Sequence, residues 1–183
     1  MEPPKMTTKK QYYPANVVYV STMDIPYHLD NHIKSENDMS DIIVPQCFSS
    51  DLKYYPRGSL SLFDKFPELK PNLEMFQTNK NKFTQFLCIN NKKNKEYGRV
   101  VFCNMLCAYS QGYGKNNSKI NYLSLAFCLN DLRNWIKEQS YTNMPKIILS
   151  KNIFSGYGAN LGTVENLVSD SVPKKSTIMV SKW

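Results

Sequence analysis

Three glycines, Gly156, Gly158 and Gly162, fall within seven residues, shortly after the apolar run Ile147-Ile148-Leu149. Glycine accepts a positive φ and lets the backbone come close to a ligand. A strand, a glycine loop and then a helix would aim free N–H groups and the positive end of a helix dipole at the loop, which suits a phosphate. The helical pattern resumes from Thr163 to Val168, with Val164, Leu167 and Val168 on one face. The same residues also allow a plain tight turn, and a lone glycine loop does not decide between the two.

Other residues able to do chemistry are few. Asp24 follows the apolar stretch Asn16 to Ser21, where it can cap a short helical turn or accept hydrogen bonds from a ligand amine. His28 and His32 are four apart, but no acidic or cysteine partner completes a set, so no metal site and no cofactor is expected. The five cysteines are odd in number, form no C-x-x-C pair and lie mostly in apolar stretches. They read as buried free thiols in a reducing, cytoplasmic compartment. The net charge of +8 comes from scattered lysines in turns and ends, which describes a solvated surface and suits an anionic ligand. No apolar run reaches membrane-spanning length, so no membrane partner is expected. The abundance of Asn, Lys, Tyr and Ile points to an AT-rich genome.

The elements that must position these residues alternate in type. Residues 1–11 read as a disordered leader and 12–183 as one domain, expected to be a monomer. Asn16 to Ser21 reads as a buried strand stopped by Pro26, and Leu29 to Met39 as a polar loop. Asp41 to Phe48 is a second strand, followed by a polar loop to Gly58. Ser59 to Phe66 and Pro67 to Phe76 read as short helices with Leu60, Phe63, Leu69, Leu73 and Phe76 inward. Phe83 to Ile89 and Gly98 to Leu106 make a hairpin through the turn Asn90 to Lys95. Tyr109 to Ser118 reads as a mobile loop. Ile120 to Gln139 is a long helix, capped by Ser118, with Tyr122, Leu125, Leu129, Leu132 and Ile136 as its apolar stripe. Ser176 to Val180 closes the chain as a strand.

This alternation predicts a three-layer α/β/α domain around a central mixed, mostly parallel sheet. In such sheets the ligand crevice lies beyond the carboxyl ends of the strands. Met23 to Pro26, Cys47 to Gly58 and Ser155 to Gly162 converge there, with Tyr109 to Ser118 as a further wall.

In this order the loops resemble a macrodomain, the ADP-ribose-binding fold, over roughly residues 14–183. Met23-Asp24-Ile25 looks like the family's Gly-Asp-Ile/Leu turn, whose aspartate accepts from the adenine amine. Cys47-Phe48-Ser49-Ser50-Asp51-Leu52-Lys53, then Gly58 and Leu62-Phe63-Asp64-Lys65-Phe66-Pro67, resembles the branch that holds terminal ADP-ribose glycohydrolase and many phage proteins. Ser155-Gly156-Tyr157-Gly158-Ala159-Asn160, followed by Glu165-Asn166-Leu167, looks like the Gly-Cys-Gly phosphate loop and its helix. The resemblance implies ligand contacts from Met23, Asp24, Ile25, Cys47, Phe48, Ser49, Gly58, Ser59, Leu60 and Ser155 to Asn160.

The departures from that branch bear on chemistry. Its attacking lysine falls here on Asp64, with Lys65 beside it. Its catalytic aspartate falls on Asn160, and Thr163 stands where phage relatives carry an aspartate. The loop before Gly58 is longer by a residue, and Tyr54-Tyr55-Pro56 replaces its first glycine. An amide cannot take a proton as a general base. Two function classes stay open. One is a binding module for ADP-ribose or a related ADP-ribosyl nucleotide, in a viral setting. The other is a hydrolase or phosphatase of such molecules, with Asp51, Asp64, Lys65 and Asn160 as candidates. Single-stranded nucleic acid binding through Tyr54, Tyr55, Tyr109 and Tyr113 is the least favoured.

Overall fold

The computed structural model describes residues 16–20, 23–79, 81–89, 98–109 and 119–181. Its strands are β1 (Asn16–Val20), β2 (Ile42–Ser49), β3 (Thr84–Ile89), β4 (Val100–Ala108), β5 (Lys146–Ser150) and β6 (Thr177–Ser181). Its helices are α1 (Ile25–Lys34), α2 (Arg57–Lys65), α3 (Leu69–Gln77), α4 (Tyr122–Gln139), α5 (Lys151–Phe154) and α6 (Leu161–Ser171). The strands form one sheet in the order β1-β6-β5-β2-β4-β3, parallel except for β3, which runs antiparallel to β4. Helix α2 packs against α1, α3 and α5, while α4 packs against α6. The fold is therefore the mixed, mostly parallel α/β/α class that the alternation of elements predicts.

Strands β2 and β4 are buried along their whole length, as continuous apolar runs covered on both faces must be. Pro45 sits inside β2, where a proline removes a ladder hydrogen bond. The Ile42 N–H donates toward β4, to the Arg99 carbonyl. Bonding sides alternate along a strand, so positions 43 and 45 face β5. Pairing between β2 and β5 is confined to Ile42 and Ile43. The next bond of that ladder would come from the N–H that Pro45 lacks. Helix α5 packs against β2 at the carboxyl end of β5.

Two buried polar assemblies brace the sheet. Asp41, fully buried, accepts the Arg99 backbone N–H at 2.7 Å, the Arg99 guanidinium at 2.8 and 3.2 Å, and the Tyr141 hydroxyl at 2.6 Å. Burial, and then the Asp41 hydrogen bond, raise the Tyr141 pKa above its ordinary value. The Arg99 guanidinium also lies 5.9 Å from the Trp135 ring centroid. The second assembly crosses the sheet. The Ser59 hydroxyl donates to Gln46 (2.8 Å), Gln46 to Asn104 (3.0 Å) and Asn104 to Gln85 (2.9 Å). Each buried amide thus finds a partner on the neighbouring strand.

The structure corrects several expectations. Leu29 to Met39 is not all loop, because α1 runs to Lys34 and buries Ile25, Leu29 and Ile33 at helical spacing. Pro26 starts that helix instead of stopping a strand, since the first turn needs no N–H there. Strand β1 is a half-exposed edge: Tyr19 is 68% exposed. Asn121, not Ser118, caps α4, accepting the N–H groups of Leu123 and Ser124. Tyr122 is exposed and drops out of the buried stripe, which gains Cys128. Leu60 is likewise exposed, and Leu62 takes its place in the core. Cys88 is exposed, while the other four cysteines are buried and free. The leader, the turn Asn90 to Lys95 and 110–118 lie outside the described residues.

Two expectations follow. Leu129 is 1% exposed within the core, so Leu129→Ala should lower unfolding stability by about 2–5 kcal/mol in denaturant titration. Burial is the main force holding the His28 and His32 pKa values below the ordinary 6.5, and Asp38 offsets it only in part. As pH falls through 6.5 the unfolded chain takes up protons first. Stability is therefore full above that pH and declines below it. His32→Leu should flatten the decline between pH 7 and about 5.

Candidate functional site

The carboxyl ends of β1, β6, β5, β2 and β4 share one end of the sheet. Three described segments leave that end: 23–24, 50–56 and 151–160. They are the segments that the sequence pattern brought together.

Beyond β1, Asp24 Oδ1 accepts the Tyr27 N–H at 3.1 Å and caps α1. Of the two sequence readings of Asp24, the cap is thus present. Its Oδ2 makes no hydrogen bond among the described residues, and the side chain is exposed. Met23 packs partly against the core. Ile25 is fully buried, so its side chain serves the core and not the crevice.

Beyond β2, the chain is more buried than the resemblance implies. The Cys47, Phe48 and Ser49 side chains are inaccessible. The Cys107 thiol donates to Cys47 Sγ at 2.8 Å. Phe48 packs on the Tyr55 and Phe63 rings. Asp51 Oδ1 accepts the Lys53 N–H at 3.2 Å, closing a turn in which Leu52 holds a φ of 52°. Gly58 is a point of helix contact: a Cβ there would lie 3.0 Å from Ile153 of α5. Ser59 is buried in the amide chain. Pro56 precedes α2, and no side chain caps that helix's first N–H groups.

Beyond β5, the expected glycine loop is wound into helical turns. Helix α5 begins at Lys151, and a 3₁₀ turn follows over Ser155–Tyr157. Gly158 then takes a φ of +65°, and nothing lies within 4 Å of where its Cβ would stand. Gly156 has no positive φ. A Cβ there would run into the Tyr54 hydroxyl, so its small size admits Tyr54. Tyr157 is 1% exposed and anchors the loops instead of facing a ligand. Its hydroxyl accepts the Ser49 N–H and donates to the Tyr54 carbonyl, both at 3.2 Å. Burial, with the Cys47 thiol nearby, holds its pKa above the ordinary tyrosine value. Ser155 and Asn160 are exposed and Ala159 is half-buried. Asn160 caps α6 by accepting the Thr163 N–H at 3.0 Å, and its own N–H donates to the Tyr122 hydroxyl at 2.9 Å.

Of the catalytic candidates, Asp51 and Asn160 lie in segments at the site end of the sheet, whereas Asp64 and Lys65 lie away from it. Lys65 Nζ is 3.2 Å from Asp30 Oδ2, which also holds Lys34 at 2.6 Å. Asp64 and Lys65 end α2, about 10–12 Å along its axis from the end that opens on the site. Asp51 stays at the carboxyl end of β2, and Asn160 is a helix cap. Sequence reading missed Ser150, Lys151 and Asn152, which sit directly at the carboxyl end of β5. The end of the apolar run at Leu149 was the available signal. No group of three or more metal-ligating side chains occurs among the described residues. No helix among them is long and apolar enough to cross a membrane.

No protein-family model and no curated protein matches the sequence. Solved structures do match the fold. A macrodomain protein from Streptomyces coelicolor superposes with a TM-score of 0.59 at 12% identity, covering 92% of this chain and 99% of its own. The macrodomain of Thermus aquaticus DarG gives 0.58 at 9% identity, with the same coverage. A protein from Bacteroides thetaiotaomicron gives 0.58 at 13% identity, covering 91% of this chain and 99% of its own. At these identities the likeness is one of fold: the chain has the α/β architecture of solved macrodomains.

Proposed function

We propose that this protein binds ADP-ribose or a related ADP-ribosyl nucleotide at the carboxyl ends of its parallel strands. One observation carries the reading. On a fold shared with solved macrodomains, Asp24, the uncapped start of α2 and the open turn at Gly158 all lie at that end. Each suits a different part of such a ligand. The free Asp24 oxygen can accept from the adenine amine. The α2 N–H groups and the backbone around Gly158 can meet a diphosphate. The net charge of +8 favours the approach of an anion. The proposal includes an intracellular, viral setting, which the residue usage and the phage likeness of residues 47–67 support.

Binding is favoured over turnover on a specific ground. At the positions matching the glycohydrolase branch, Asn160 has no proton-accepting charge and is used as a cap. Lys65 is paired with Asp30, remote from the start of α2.

Calorimetric titration with ADP-ribose, AMP, ADP and ATP tests the reading. ADP-ribose should bind saturably at one site. Asp24→Ala should weaken it by about 1.5–3 kcal/mol, the worth of one hydrogen bond to a charged group. Loss of the α1 cap should show separately as a lower melting temperature. Equal affinity in Asp24→Ala would remove the adenine assignment. Incubation with an ADP-ribosylated protein should release no ADP-ribose. Release at about 1 per second or faster would make the protein a hydrolase.

A further inference from the structure

We infer that a second copy of this chain docks on the free edge of β3, pairing β3 with β3 across a two-fold axis at Phe86. The argument begins with the backbone. Pairs in an antiparallel ladder alternate between bonded and non-bonded. The Leu106 N–H donates to the Phe83 carbonyl. By the β3–β4 register, Gln85, Leu87 and Ile89 therefore turn their backbone groups toward β4. Thr84, Phe86 and Cys88 turn theirs outward, where no strand pairs with them among the described residues.

Exposed edges are normally blunted by charge, proline or a bulge. The sequence Thr84-Gln85-Phe86-Leu87-Cys88-Ile89 has no charged residue, proline or glycine, and its register with β4 is unbroken. The edge is also self-complementary. A two-fold axis at Phe86 sets Thr84 of each copy opposite Cys88 of the other, small and uncharged on both sides. It sets Phe86 opposite its own copy, an aromatic cross-strand pair of the kind that stabilises sheets. Phe86 already stacks on Trp135, with ring centroids 5.0 Å apart, so its ring is held in place for that contact.

The charges beside the strand support the same occupant. A groove of about 520 Å³ runs between β3 and α4, lined among others by Lys82, Asp131, Trp135 and Glu138. Asp131 bonds Thr84 at one end of the strand. The last turn of α4 reaches the other end, where Gln139 accepts from Arg99 beside Val100, the partner of Ile89. The two-fold axis reverses these ends, so Lys82 of each copy comes to the Glu138 end of the other. An isologous contact of this kind closes on itself as a dimer. The sequence reading expects a monomer, and the unblunted edge argues against it.

Sedimentation of the full chain between roughly 5 and 200 µM should show reversible dimers. Cys88→Lys, at an exposed position, should give a folded monomer by circular dichroism and sedimentation. Bonded antiparallel partners have Cα atoms about 5.5 Å apart, within disulfide reach. Thr84→Cys should therefore give a reducible covalent dimer on treatment with diamide, and adding Cys88→Ser should abolish it. Residues 84 and 88 of one strand are about 13 Å apart and do not bond to each other. Cys128, whose thiol hydrogen-bonds the Thr84 side chain, is replaced by serine in both variants so that no bond within a chain competes. A wild type that stays monomeric throughout would overturn the inference. So would a Thr84→Cys cross-link that persists without Cys88, or dimers that survive Cys88→Lys.

Discussion

A missing N–H in the middle of the sheet shapes the site. Pro45 lies in β2 at the position that would continue the ladder to β5, and pairing stops at Ile43. Below that point the two strands are held by backbone hydrogen bonds. Above it they share none, and their carboxyl halves depend on what packs over them. Helix α5 fills that role, leaning on β2 and, through Gly58 and Ile153, on α2.

Side chains then do the work that the ladder does elsewhere. The Tyr157 hydroxyl ties the end of β2 to the 3₁₀ turn after β5 and to the Tyr54 carbonyl. The Tyr54 ring stands edge-on to Tyr157, with centroids 5.4 Å apart. At the opposite end of the sheet, the fully buried Asp41 gathers the partly exposed Arg99 and Tyr141. Loss of the Arg99 charge would leave Asp41 buried and uncompensated, which is costly. The amide chain from Ser59 to Gln85 fixes β2, β4 and β3 side by side in one register.

Among the described residues, the end of the sheet offers a free carboxylate oxygen at Asp24, uncapped N–H groups at α2 and open backbone at Gly158. All three are groups that suit the nucleotide binding proposed above. Two of the four catalytic candidates are engaged in structural contacts, Lys65 with Asp30 and Asn160 at a helix start. Cys47 is sealed beneath the surface against Cys107.

The sequence alone determined the class of fold. Apolar runs such as Ile42 to Val44 and Ile147 to Leu149, alternating with a helical stripe such as Leu125, Leu129, Leu132 and Ile136, leave few other ways to bury apolar surface. It also determined that three loops meet at one end, because parallel strands put their carboxyl ends together. What it could not determine were roles that depend on a partner distant in the chain. Gly156 reads as room for a ligand, yet the room is taken by Tyr54, about a hundred residues earlier. Pro26 reads as a strand stop, yet with Asp24 capping it begins a helix whose apolar face is buried. Tyr157 reads as a ligand contact, yet it is a buried anchor for Ser49 and Tyr54. Local pattern records the period and polarity of a segment. Which surface fills the space beside a glycine, or accepts a hydroxyl, is settled only when distant segments pack.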